Sequence, residues 1–327
     1  MTNFRSNSNS SNFKKGTDLR QTKEWGEYLE KLGWETIEFR VKNLELRIKL
    51  RIKSLGILGS IIKVQRLPIV SEEVLREIEE IAKERRAILI KVEPEAEFSD
   101  YPLLYRFGYK TDSWPTMPTK TIVLDLSKEI PQTYSKSARY DLRKAEKENL
   151  TVKFLNTTYP RAQSEFYRLF KESAKGKFFV PSFGKDFVHK CRALEPISFI
   201  TLLSHKSEIL PIREDPESGS SRNVAGAFVA VVGDTAHYVH AGTTKEGKVM
   251  GAPYKLLYEI SKKLKKDGIK YLNLEGVYDK RYPGFTKSWQ GFTHFKEQFG
   301  GCEVLYPHSF TKYRATALKL IAIFSGF

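Results

Sequence analysis

Apolar positions along the chain switch between two periods, and each switch marks a new element. Over residues 19–34, Leu19, Trp25, Tyr28, Leu29 and Leu32 recur near helical spacing, and Gly33 supplies a stop. Alternation over residues 38–53 and 60–66 predicts strands, broken by Pro68. Ser71 predicts the cap of a helix whose first turn carries Glu72 and Glu73, the charge that a helix N-terminus favours. Its apolar face is Val74, Leu75, Ile78, Ile81 and Ala82. A strand over 87–92 ends at Glu93, and the amphipathic piece YPLLYRFGYK closes the unit.

The second half repeats that order. Strands are predicted over 121–126 and 151–155, and helices over 135–148 and 160–174. A hairpin with arms 197–209 and 224–239 encloses the polar loop PIREDPESGSSRN. A helix over 253–266 has Pro253 in its first turn and Gly268 beyond its end. The next strand, 269–274, ends at Glu275, and FTHFKEQFGG closes the half. Glu93 precedes Tyr105, Phe107 and Gly108, just as Glu275 precedes Phe295, Phe299 and Gly300. The repeat predicts two copies of one mixed α/β domain, each with a crossover strand in a mostly antiparallel sheet. The Pro-rich stretch TDSWPTMPTK separates them, so the second domain is expected over 118–305 and the first over 19–117.

Length agrees, since 327 residues suit two domains of roughly 150 each. With 40% hydrophobic residues both can fill a core. Residues 1–18, polar and rich in Ser and Asn, read as a disordered leader rather than a secretory signal. No apolar run approaches the roughly 20 residues that span a bilayer, and a cytoplasmic monomer is expected. Cys191 and Cys302 stand alone, which argues against a disulfide framework or a zinc site. Lysine and arginine outnumber the acids 55 to 39, a net charge of +16. Such an excess concentrates anions at the surface, so nucleic acid, anionic lipid and phosphorylated substrates all stay open, as does a generically basic protein.

Two stretches can carry chemistry. In SKSARYDLRKAEKENL, Lys136, Arg139, Arg143 and Lys147 share one helical face. An anionic partner would relieve their repulsion, arginine offering a planar fork for phosphate; a solvated helix face fits the same pattern. In WQGFTHFKEQFGGCEV, Lys296 lies between Phe295 and Phe299 beside a Gly-Gly turn. A lysine so walled can place positive charge where a transition state develops negative charge, or can simply snorkel. His237 and His240 read as half-buried strand residues, and the chain has no HExxH, GxSxG or GxxxxGK[ST] motif.

The series LRQTKEWGEYLEKLGW, LLYRFGYK, IVLDLSKEIPQTYSKSARYDLRKAEKENLTV, EFYRLFKESAKGKFFVPSFGKDF, VAGAFVAVVGDTAHYVHAGTT, APYKLLYEISKKLKKDGIKYLNLEGV and HFKEQFGG resembles the Fem-type (FemABX) peptidoglycan peptidyltransferases over nearly the whole chain. The resemblance implies tandem GNAT-like (acyl-CoA N-acyltransferase-like) domains, with residues 306–327 returning to the first. It implies transfer of an amino acid from aminoacyl-tRNA to the stem peptide of a peptidoglycan precursor, a UDP-MurNAc-peptide or lipid II, in cell-wall synthesis. The donor ester is already activated, so neither a cofactor nor a protein nucleophile is needed; positioning and charge stabilisation suffice. Carried over, Lys296 is the catalytic candidate at the tRNA terminus or tetrahedral intermediate. Lys136, Arg139 and Arg143 are expected to bind precursor phosphates, and Tyr238, Tyr254 and Glu275 to line the substrate pocket. A first-helix lysine of the family matches either Lys23 or Lys31. The tail SFTKYRATALKLIAIFSGF can touch an anionic membrane or close the first domain as a packed helix. An acyl-thioester N-acyltransferase and a non-catalytic RNA-binding protein remain the alternatives.

Overall fold

A computed structural model describes residues 17–41, 46–95, 101–175, 184–206 and 221–315. Most of the leader, most of the 211–223 loop and the tail from 316 fall outside the described residues. The chain divides into two compact units. Of the described residues, the first contains those of Thr17–Thr121, Gly276–Gln290 and 304–315; the second contains those of Ile122–Glu275 and Gly291–Glu303.

In the first unit a short turn of 3-10 helix at Leu19–Gln21 precedes α1 (Lys23–Lys31). The single helix expected over 19–34 is thus divided. Thr22 stays extended and its hydroxyl accepts the Trp25 N–H at 3.2 Å, capping the shorter helix. β1 (Glu35–Val41), β2 (Leu46–Ser54) and β3 (Ser60–Leu67) pair antiparallel in sequence. α2 (Glu72–Glu84) is capped by the Ser71 hydroxyl and buries Val74, Leu75, Ile78, Ile81 and Ala82, the five apolar residues expected. Burying an aliphatic side chain of this kind is worth about 1.5–3 kcal/mol, so this face anchors the crossover that lays β4 (Ala87–Pro94) parallel to β3. α3 (Tyr101–Arg106) and β5 (Lys110–Thr111) follow.

The chain continues through β6 (Lys120–Asp125), α4 (Lys136–Lys147), β7 (Leu150–Asn156), α5 (Pro160–Ala174), α6 (Gly184–Ala193) and β8 (Ser198–Lys206). Next come β9 (Ser221–Val232), β10 (Thr235–Thr243), α7 (Lys245–Val249), α8 (Ala252–Lys266) and β11 (Tyr271–Gly276). The arm expected over 224–239 is therefore two strands. They reverse at Gly233, whose φ of 58° is accessible to glycine, inside a run that is apolar on both sides of the turn. After α9 (Pro283–Thr286) and α10 (Gln290–Glu297), β12 (Cys302–Leu305) and β13 (Phe310–Tyr313) complete the sheets.

The sheet orders are β1-β2-β3-β4-β13-β5 and β12-β6-β11-β10-β9-β8-β7. Each holds a parallel pair formed across a helix, β3 with β4 and β10 with β11. Aligned on those pairs, β1-β2-β3-β4-β13-β5 corresponds slot for slot to β8-β9-β10-β11-β6-β12, with β7 an added edge. The slot that β6 fills in one sheet is filled by β13, from the far end of the chain, in the other.

Candidate functional site

In the second unit a group of buried polar residues, His237, Asn273 and Glu275, lies where the parallel pair ends. β10 pairs with β11 from Thr235–Tyr271 to His237–Asn273, and β10 shifts register against β9 between Tyr238 and His240. Two residues past that last pair, Glu275 takes a left-handed φ of 60°, its N–H held at 2.8 Å by the Asn273 side-chain oxygen. A non-glycine residue there is strained, which marks the position as constrained. The turn brings Glu275 Oε1 to 2.8 Å from His237 Nδ1, with His237 2% and Glu275 8% exposed. The other ring nitrogen, Nε2, is also buried and has no hydrogen-bond partner among the described residues.

Lys296 lies on α10, with Nζ 4.8 Å from the centre of the Phe292 ring. The residue is half-buried along its stem, and loss of solvent around the ammonium pushes its pKa down to about 7, opposed in part by the negative charge of Glu275. Near neutral pH this lysine is present both as amine and as ammonium. The sequence reading of a fixed positive charge therefore becomes one of a group able to take up and release a proton.

Tyr254, in the first turn of α8, packs its ring against Phe295 at 5.1 Å and Phe299 at 5.7 Å. Its hydroxyl lies 3.4 Å from the Gln298 side chain; burial, and next the nearby Asp141 carboxylate, raise its pKa. Because Asp141 belongs to α4, Tyr254 ties that helix to α10. The contact recurs at the helix ends. The Ser135 N–H, at the cap of α4, donates to the Gln298 carbonyl at 2.8 Å, and the rings of Tyr134 and Phe299 meet at 4.8 Å. Gly300 has φ 73°, and a Cβ there would stand 2.0 Å from the Thr133 carbonyl oxygen, so the approach requires glycine.

The basic stripe divides. Arg139 is half-buried and turns one guanidinium nitrogen onto the carbonyls of Gln132 and Tyr134, at 3.1 and 3.0 Å, beside the segment that meets α10. Lys136, Arg143 and Lys147 point outward and are exposed. Tyr238 is 6% exposed, and burial alone holds its phenol protonated. As the neighbour of His237 on a strand it faces the opposite side of the sheet. In the first unit Lys23 pairs with Glu27 at 3.2 Å along α1. Sequence reasoning passed over Asn273 and gave no role to His237 and Asp141, whose partners Glu275 and Tyr254 lie far along the chain. A cavity of about 380 Å³ between Phe199, Val231, Lys263 and Ile269 contains none of the residues named above.

Residues 201–323 match the model of the FemAB family. The whole chain is similar to the crystal structure of FemX, with a TM-score of 0.77 and 16% identity over 93% of this chain and 94% of that one. The chain thus resembles the Fem-type proteins, in a segment of its sequence and in its fold. Further likenesses concern the fold. L-PGS from Bacillus licheniformis matches with a TM-score of 0.57 and 14% identity, covering 95% of this chain and 97% of its own. A tandem GNAT protein from the clavulanic acid biosynthesis pathway matches at 0.50 and 10% identity, over 81% of this chain and 78% of that one. Both units have a GNAT-like fold. A search of curated proteins returns no match. Among the described residues no helix is long and apolar enough to cross a membrane.

Proposed function

We propose that this protein is a Fem-type aminoacyl transferase that moves an amino acid from aminoacyl-tRNA to the stem peptide of a peptidoglycan precursor. The FemAB match over residues 201–323 supports the coarse reading, a peptidoglycan-related transferase. The observation that carries the finer one is the desolvated Lys296 within electrostatic reach of Glu275, the carboxylate that meets His237 just past the β10–β11 pair.

The chemistry needs a proton acceptor. An acceptor amine arrives mostly as ammonium and must lose one proton before it attacks the ester carbonyl. Lys296, neutral in part near pH 7, takes that proton and becomes cationic as the oxyanion forms, so one group serves as base and then as charge stabiliser. The new C–N bond forms and the ester C–O bond breaks. The second amine proton passes to the leaving hydroxyl of the tRNA. Glu275 steadies the ammonium, while His237 fixes the carboxylate at 2.8 Å. Tyr254 and its aromatic neighbours wall the α10 side, and a precursor phosphate is assigned to Arg139, whose Nη1 is engaged by the Gln132 and Tyr134 carbonyls.

The test incubates the protein with charged tRNAs and with each precursor form, soluble nucleotide and lipid-linked, and weighs the products. A mass gain of one aminoacyl residue that depends on charged tRNA supports the reading. A gain that depends on acyl-CoA instead would move the protein to the thioester-dependent acyltransferases. No gain with any pair would defeat the proposal.

A further inference from the structure

We infer that the outward face of α4, centred on Tyr140, is a docking surface for RNA that holds the phosphate backbone next to an unpaired base. This rests on the reading of the donor as an aminoacyl-tRNA and adds the surface that grips it.

At 3.6 residues per turn, Lys136, Tyr140, Arg143, Lys144 and Lys147 fall within about 100° of arc around the helix. All five are exposed, Tyr140 by 64%. The opposite arc, Ala138, Leu142 and Ala145, is buried. No acid lies within the basic arc, and Asp141 on its flank is engaged with Tyr254. Among the described residues, none of the four cations forms an ion pair. Elsewhere Lys23 is neutralised by Glu27 and Arg76 by Glu72, each one turn away on its own helix. Helix stability does not account for the difference. The first turn of α4 has no acid and carries Lys136, where the helix dipole disfavours a cation.

The face suits a polyanion with bases. From Lys136 to Lys147 the helix rises about 16 Å, enough to follow several successive phosphates. A tyrosine ring set among cations is a stacking platform for an unpaired base. A membrane-surface helix would need an apolar face turned outward, whereas the apolar face of α4 is turned into its unit and the outward one offers a single aromatic ring.

The experiment measures fluorescence anisotropy of the full-length protein with a hairpin RNA bearing an unpaired 3′ end, with the same hairpin blunt, and with phosphatidylglycerol vesicles. Alanine at exposed helix positions favours the helix, and circular dichroism verifies the fold of each variant. Combined Lys136→Ala, Lys144→Ala and Lys147→Ala should lower the slope of log affinity against log salt by about 2 for both hairpins. Tyr140→Ala should weaken the overhang hairpin about 5- to 100-fold and leave the blunt one unchanged, and Tyr140→Phe should restore it. An unchanged slope in the triple variant overturns the inference. So does lost vesicle binding with RNA binding intact, which assigns the face to a membrane. Unaffected RNA binding in the variants, beside aminoacyl product from the wild type, would remove this surface and leave the transferase reading standing. Lost RNA binding beside no wild-type product would do the reverse.

Discussion

Replacing Lys296 with methionine should abolish transfer and yet make the protein more stable at neutral pH. The pKa of this lysine falls from 10.5 to about 7 because its ammonium loses solvent, and the Glu275 charge opposes the fall. The unfolded chain therefore binds a proton near pH 8–9 that the folded chain rejects, and this group makes stability rise with pH through that window. Below about pH 7 the full penalty applies, because the native state must then hold the charge in place. At about 1.4 kcal/mol per pH unit the fall bounds the penalty at about 5 kcal/mol. Partial exposure and local water bring the expected effect to about 1–3 kcal/mol. Methionine matches the lysine stem in length and carries no charge, and Glu275 keeps its bond to His237. Thermal unfolding at pH 7 should show a rise of about 2–4 °C per kcal/mol, shrinking as the pH nears 10. In parallel, wild-type kcat/KM should climb with pH through about 7 and level off, the limb of a base that must be neutral. A variant less stable than wild type at pH 7, or a gap that does not change with pH, would refute the account of a desolvated lysine.

Three further outcomes follow from the same geometry. His237→Leu removes the group that fixes Glu275, so kcat should fall while the KM for charged tRNA stays within about twofold; unchanged kcat would show that the pair is structural only. Gly300→Ala meets both a φ of 73° and the Thr133 carbonyl, so urea unfolding should show a loss of about 1–3 kcal/mol or more, and a neutral result would mean that the 131–135 segment is free to move away. Arg139→Ala should raise the KM for the precursor with little change for tRNA, and an unchanged KM removes Arg139 from phosphate binding.

What the sequence made legible depended on how far apart the cooperating residues lie. α2 was readable because a capping serine and five apolar residues at helical spacing all act within thirteen residues. The turn between β9 and β10 was not, since Gly233 and Asp234 interrupt a stretch apolar on both sides, and the periodicity that would show two strands continues across them. Lys296 could be singled out from local aromatic context, and Tyr254 only through the resemblance to the Fem-type proteins. His237 could not, because its meaning comes from a carboxylate 38 residues away that the β10–β11 pairing brings alongside. The repeat itself illustrates the limit. Glu93 and Glu275 end corresponding crossover strands, and sequence treats them alike. Glu93 spends its oxygens on the N–H groups of Thr116 and Met117 and on the Thr116 hydroxyl, stapling the stretch that leaves the first unit's sheet. Glu275 turns through a strained backbone toward His237 and Lys296 instead. The duplicated fold supplies a buried carboxylate at the same slot twice; whether it closes a loop or faces a lysine that can exchange its proton is decided by the residues that the second chain segment packs against it.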